Sequence, residues 1–127
     1  MKTIIEKLTN EEIYNRALAL NASFTNNETY FPALVSFAIQ KNKDVFIKMA
    51  EEIENGRMKV VQHYGVPQED GNYNISADNI EAANKELSDL LTIEQDVKIF
   101  VFDIDALEDV KLTSQETQAI MFMIDME

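Results

Sequence analysis

Between Pro32 and Gly65 the apolar residues Val35, Ile39, Phe46, Met49, Ile53, Val60 and Tyr64 fall near one stripe at helical spacing. Pro32 suits a helix start, where its missing amide is unpaired in any case, and Gly65 with Pro67 ends the run. The pattern predicts one helix of about 32 residues, roughly 48 Å long. A compact chain of 127 residues has a radius of gyration near ~14 Å, hence a diameter of about 36 Å. Such a helix either breaks near Asn42-Lys43-Asp44 or protrudes and packs on another copy of the chain. Gly56 is a second weak point, costing about 1 kcal/mol relative to alanine. The adopted reading is one long central helix, straight or kinked.

Shorter elements are arranged around it. Residues 2–8 read as a short edge strand or an extended lead-in. Thr9 followed by Glu12 forms a capping box, and Ile13, Ala17 and Leu20 continue it as a helix over about 10–21. Gln68-Glu69-Asp70-Gly71-Asn72 is a turn signal. Ser76 is placed to cap a helix over 77–91 whose face is Ile80, Ala83, Leu87, Leu90 and Leu91. Residues 97–104, centred on Ile99-Phe100-Val101-Phe102, are β-branched and aromatic without a breaker, which predicts a buried strand. Thr113 with Glu116 opens a final helix expected to run to about Ile124, facing the core with Ala119, Ile120, Met123 and Ile124. The expected fold is a single α+β domain over residues 1–127, predominantly helical. It comprises the long helix, three shorter helices and a small sheet or strand pair.

The formal net charge is −12, unevenly spread. Residues 1–65 hold eight acids and eight bases, whereas residues 66–127 hold fifteen acids against Lys85, Lys98 and Lys111. A basic-groove nucleic-acid binder is thereby disfavoured. The excess reads as solubility or as a face that meets a basic partner, where opposite potentials speed encounter and fix orientation. Zero cysteines exclude a disulfide framework, a thiolate metal site and a cysteine nucleophile. Neither an 18-residue apolar run nor a charged-then-apolar leader is present, so a cytoplasmic protein without membrane association is expected.

Each motif that suggests chemistry departs from what that chemistry needs. Asp103-Ile104-Asp105 after an apolar strand resembles the nucleophile motif of haloacid dehalogenase-type phosphatases. There the first carboxylate attacks phosphorus, and the second handles the leaving-group proton and helps hold magnesium. Ala106-Leu107 stands where Gly-Thr is expected, and the 22 residues after Asp105 are too few for the lysine and further acids of such a site. Asp70, Asn72, Asn74, Ser76, Asp78 and Glu81 match the ligand positions of a calcium loop, but Ile75 replaces the glycine of its sharp turn. An Asp-Gly turn followed by a helix cap accounts for the same residues. His63, the only histidine, has no neighbouring nucleophile or orienting acid and suits the C-terminal end of a helix dipole. Met121, Met123 and Met126 read as core filling or an adaptable docking surface. Three glycines, Gly56, Gly65 and Gly71, provide no phosphate-cradling loop.

Leu8-Thr9-Asn10-Glu11-Glu12, the helix end His63-Tyr64-Gly65, the Asp70-Gly71-Asn72 turn, Glu86-Leu87 with Leu90-Leu91, Leu107-Glu108 and Leu112-Thr113-Ser114-Gln115-Glu116 together resemble an uncharacterised family of small acidic proteins encoded by phages and prophages of low-GC Gram-positive bacteria. The resemblance implies a phage origin and a non-enzymatic role, and it supplies no catalytic residues. The expected function is a binding module that inhibits a host defence or nucleic-acid-binding protein through its acidic surface. Asp103, Asp105, Glu108 and Asp109 are the expected partner-binding residues, with no cofactor and no metal. The partner is a host or phage protein with a basic surface, met in the cytoplasm of the bacterial host. The alternative is a virion or assembly accessory protein that forms homo-oligomers through its long helix. For the size of the domain, Ile99–Phe102 and Phe122-Met123-Ile124 are rich in bulky apolar groups, which leaves surface for partner contact.

Overall fold

The computed structural model describes residues 1–26 and 28–125. In chain order it contains β1 (Lys2–Thr9), α1 (Asn10–Phe24), α2 (Ala33–Tyr64), β2 (Gly65–Pro67), β3 (Tyr73–Ile75), α3 (Ala77–Leu91) and β4 (Glu94–Asp103). A 3-10 turn (Ile104–Leu107), α4 (Ser114–Ile120), a second 3-10 turn (Met121–Met123) and β5 (Ile124–Asp125) follow. The protein is α+β and mostly helical, the described residues forming one long helix, three shorter ones, a three-stranded sheet and a two-stranded one.

β4 is the centre of the larger sheet. β1 pairs with it antiparallel, residue for residue from Lys2–Val101 to Thr9–Glu94, and β5 pairs parallel at Phe102–Ile124 and Asp103–Asp125. Val97, Ile99 and Val101 alternate inward and meet Leu8, Ile13, Ala17 and Leu20 in a core that also takes Val35, Ala38, Ile39 and Phe46. Each such large apolar side chain withdrawn from water contributes roughly 1.5–3 kcal/mol. Both capping boxes form: the Thr9 and Thr113 hydroxyls accept from the Glu12 and Glu116 amides, and each carboxylate accepts from its cap's own amide. That bond holds the Glu12 carboxyl below its usual pKa. Glu116 is also buried and accepts from the Thr29 hydroxyl, tying the segment before α2 to α4.

The long helix is unbroken over its 32 residues. Asn42, where a break was one expectation, is instead fully buried, and its amide group hydrogen-bonds both backbone groups of Phe100. The helix has two working halves. Up to Ile53 it is anchored in the core, and beyond Ile53 none of its residues is fully buried. α3 and the β2–β3 hairpin pack against one side of that overhang, and Asn55, Arg57, Lys59, Gln62 and His63 remain exposed. Gly56 permits their approach, because a Cβ there would sit 3.3 Å from both δ-methyls of Leu90. Gly65 is required where the hairpin leaves the helix: a Cβ would lie 2.6 Å from the Val61 carbonyl oxygen. The buried Asn10 fastens the far end of α3, donating to the Leu90 carbonyl and accepting from Gln95.

Several boundaries differ from the sequence reading. α1 continues to Phe24, and β4 covers Glu94–Asp103, beginning three residues before the predicted strand and ending one earlier. Ser76 holds the N-cap position of α3 without a side-chain cap bond. The terminal helix stops at Ile120 rather than near Ile124. A helix there would satisfy only its own backbone, whereas Ile124 and Asp125 in extended form pair the exposed edge of β4 beside Phe102 and Asp103.

Candidate functional site

The four acids singled out from sequence lie at one end of β4. Val101 and Phe102 are buried, so the strand is held in place up to Asp103, the first residue to emerge. The chain then turns through Ile104–Leu107, closed by the Glu108 amide on the Asp105 carbonyl at 3.2 Å and the Val110 amide on the Leu107 carbonyl at 3.0 Å. Half-buried Ala106 and Leu107 return to the core and leave Asp103, Asp105, Glu108 and Asp109 exposed. None of the four takes part in an ion pair among the described residues. Asp125, which is not among the acids singled out from sequence, joins them as the strand partner of Asp103. Lys2 reaches Asp125 at 2.8 Å, on the rim of a small cleft of about 160 Å³ lined by Met1, Leu34, Val101 and Phe102.

The other C-terminal acids lie elsewhere. Glu69, Asp70, Asp78, Glu81, Glu86 and Asp89 are exposed on the hairpin and α3, with Glu94 and Asp96 at the start of β4. A ten-residue strand is about 30 Å from end to end, so Asp103, beside the N-terminal end of α2, lies far from Glu94 and Asp96 and from the hairpin acids at the C-terminal end of α2.

The motifs that suggested chemistry resolve into local structure. Asp103 ends β4 beside Asp125 of the parallel strand β5, and Asp105 lies in the 3-10 turn after it. The would-be calcium loop is a hairpin: Asp70 accepts from the Asn72 amide, Gly71 supplies the positive φ of the turn, and residues 73–75 are a strand. Among the described residues no group of three or more histidines and acids is disposed to hold a metal ion. His63 is exposed and stacks edge-on against Tyr64 at 4.7 Å. Glu86 hydrogen-bonds the Tyr64 phenol and raises its pKa. Met121 is exposed, Met123 is fully buried, and Met126 lies outside the described residues.

Larger clefts lie elsewhere on the surface. One of about 560 Å³ lies between the end of α1 and the start of α4, lined by Ser23, Thr25, Thr29, Thr113 and Glu116. The Ser23 hydroxyl is buried there without a hydrogen-bond partner among the described residues. Removing an unsatisfied hydroxyl from a helix interior should stabilise, so Ser23→Ala is expected to raise the unfolding free energy by about 1 kcal/mol in urea titration. The second, of about 310 Å³, is an apolar cleft among α1, α2 and α3, formed by Tyr14, Ile53, Leu87, Leu90 and Leu91 with Glu11, Glu54 and Arg57 at its rim. Among the described residues no helix is long and apolar enough to cross a membrane. Comparison with protein-family models, curated proteins and solved structures finds no match to this chain.

Proposed function

We propose that the protein is a phage-encoded, non-enzymatic binding module that inhibits a host defence or nucleic-acid-binding protein by covering its basic surface. The observation that carries this reading is the tip of β4. There Asp103, Asp105, Glu108 and Asp109 stand exposed at the strand end and the turn after it, none of them in an ion pair among the described residues. Four carboxylates in that state repel one another, and a cationic surface relieves the repulsion, which favours encounter with a basic partner. A rigid strand end, held by the buried Val101 and Phe102, presents them at little entropic cost. The phage origin rests on the sequence resemblance alone.

The test is capture of basic proteins from host lysate by the immobilised chain at about 0.05 M and about 0.5 M salt, between which the Debye length falls from roughly 14 to 4 Å. A basic nucleic-acid-binding protein is expected at low salt, with most of it released at high salt. Replacing the four acids by lysine should abolish its capture, and the purified partner should lose its nucleic-acid binding or cleavage when the parent chain is added. Capture that survives the four replacements would refute the assignment of these residues. The alternative, self-assembly through the long helix, would have to use the exposed side of its overhanging half, because α3 and the hairpin occupy the other side.

A further inference from the structure

β1 is an edge strand, and its open side can be identified residue by residue. Phe100 gives its amide hydrogen and its carbonyl to Asn42, on the side of β4 away from β1. Opposed residues of an antiparallel pair point their backbone groups either toward each other or both outward. Thr3, the register partner of Phe100, therefore turns its amide and carbonyl outward, and so by alternation do Ile5 and Lys7. Among the described residues β4 is the only strand beside β1, and the ladder contains no bulge to twist the edge away. The centre of this edge is apolar, with Ile5 66% exposed and Ile4 partly so. On the outer face Ile5 stands next to Lys98, whose ammonium lies over the Phe100 ring. Phe100 in turn meets the exposed Phe37 edge-on at 6.5 Å.

We propose that this edge pairs antiparallel with β1 of a second copy, on a two-fold axis through Ile5. Hydrogen-bond alternation requires an outward residue to meet an outward residue, so odd positions face odd positions. Centring on Ile5 places Ile5 against Ile5, Thr3 against Lys7, Ile4 against Glu6 and Lys2 against Leu8. No like charges are opposed, although lysines at both ends of an edge normally deter such pairing. The six backbone groups of Thr3, Ile5 and Lys7 on each copy all find partners, and the apolar strip of Phe37, Phe100 and Ile5 becomes continuous across the axis. The two β4 strands then lie three strand spacings apart, about 14 Å. That exceeds the roughly 8 Å Debye length of physiological salt. Repulsion between two chains of net charge −12 is thus screened, and the dimer tightens as salt rises, opposite to the docking of the acidic tip on a basic partner.

Sedimentation velocity of the full chain over the micromolar range, at low and high salt, reads this directly. The expected result is a two-copy species whose population grows with salt. Ile5→Pro, which removes only an outward amide and is tolerated on an edge, should give a monomer with unchanged circular dichroism. In the cysteine-free chain, Ile5→Cys brings two Cα atoms to about 5.5 Å, within the ~4.4–6.8 Å span of a disulfide. Lys7→Cys leaves them more than about 14 Å apart along the strands. With diamide as oxidant the first should become a covalent dimer and the second should not. A monomer under all conditions, a dimer that dissolves as salt rises, or cross-linking at position 7 in preference to position 5 would overturn the proposal. None of these outcomes bears on the acidic tip, which the lysate capture tests separately.

Discussion

Asn42→Ala is expected to lower the free energy of unfolding by about 3 kcal/mol in urea titration. The side chain is fully buried in the middle of α2, where its Nδ2 donates to the Phe100 carbonyl at 2.8 Å and its Oδ1 accepts from the Phe100 amide at 2.9 Å. Among the described residues β4 has no strand neighbour there, since β1 occupies its other edge and pairing with β5 begins only at Phe102. Alanine leaves two buried backbone groups without partners, each costing about 1–3 kcal/mol, together with a small cavity. Asn42→Asp keeps the acceptor but loses the donor and buries a carboxylate. Burial raises its folded-state pKa above the unfolded value, so the folded state holds the proton more tightly and stability falls as pH rises. Relative to the parent chain at the same pH, the loss for Asn42→Asp should therefore be larger near neutrality and shrink as the solution is acidified. A loss under about 1 kcal/mol for alanine would show that the strand edge finds another partner.

The same residue marks where sequence reading succeeded and where it stopped. Local signals were legible because their physics is local: Thr9 with Glu12 and Thr113 with Glu116 close the capping boxes they spell out, and α3 covers the predicted residues 77–91. The helical periodicity over the 32 residues of α2 was equally plain. Its continuity through Asn42-Lys43-Asp44 was not, because polar residues in a helix read as exposed unless the group they bond is known. Asn42 bonds a strand 58 residues away. The β2–β3 hairpin was read only as its turn, since three-residue strands carry too little pattern to recognise. β5 was hidden in an apparently helical spacing, and only the unpaired edge of β4 explains why Ile124 is extended.

For the acidic tip, the position of Asp103 through Asp109 at a strand end followed from the apolar run before them. What composition could not show was how far Asp103, Asp105, Glu108 and Asp109 lie from the acids of the hairpin and α3. That depends on α3 and the hairpin packing along the far half of α2 while β4 runs the other way, toward the N-terminal end of the helix. Asp125 was equally out of reach, because its place beside Asp103 depends on a two-residue strand. The edge of β1 was half visible: Lys2–Leu8 reads as an edge strand or an extended lead-in, and which of its residues turn outward follows only from the bonds between Asn42 and Phe100.

Phe46→Ala should cost about 3–5 kcal/mol, with Phe46→Leu limiting the loss to about 1.5 kcal/mol. Phe46 is fully buried where α2 crosses from the sheet to α1, and it meets Phe122 edge-on at 5.3 Å. Phe122 is covered in turn by the Arg16 guanidinium, 4.6 Å from its ring centre, which Glu6 of β1 holds through two 3.2 Å hydrogen bonds. Removing the Phe46 ring thus opens a cavity at the junction of α1, α2 and the turn before β5. Leucine fills most of that space and keeps the contact apolar. The far half of α2 and the hairpin depend on other contacts, chiefly Leu90 against Gly56 and the Asn79 side chain on the Tyr64 carbonyl. Hydrogen exchange should therefore separate the two regions. Amides of β4 and of α2 up to Ile53 are expected to lose protection in step with the measured loss of stability. Those of Lys59–Ile75, opening by local unfolding at lower free energy in the parent chain already, should change little. Equal loss of protection in both regions would mean that the overhang and the core unfold as one unit.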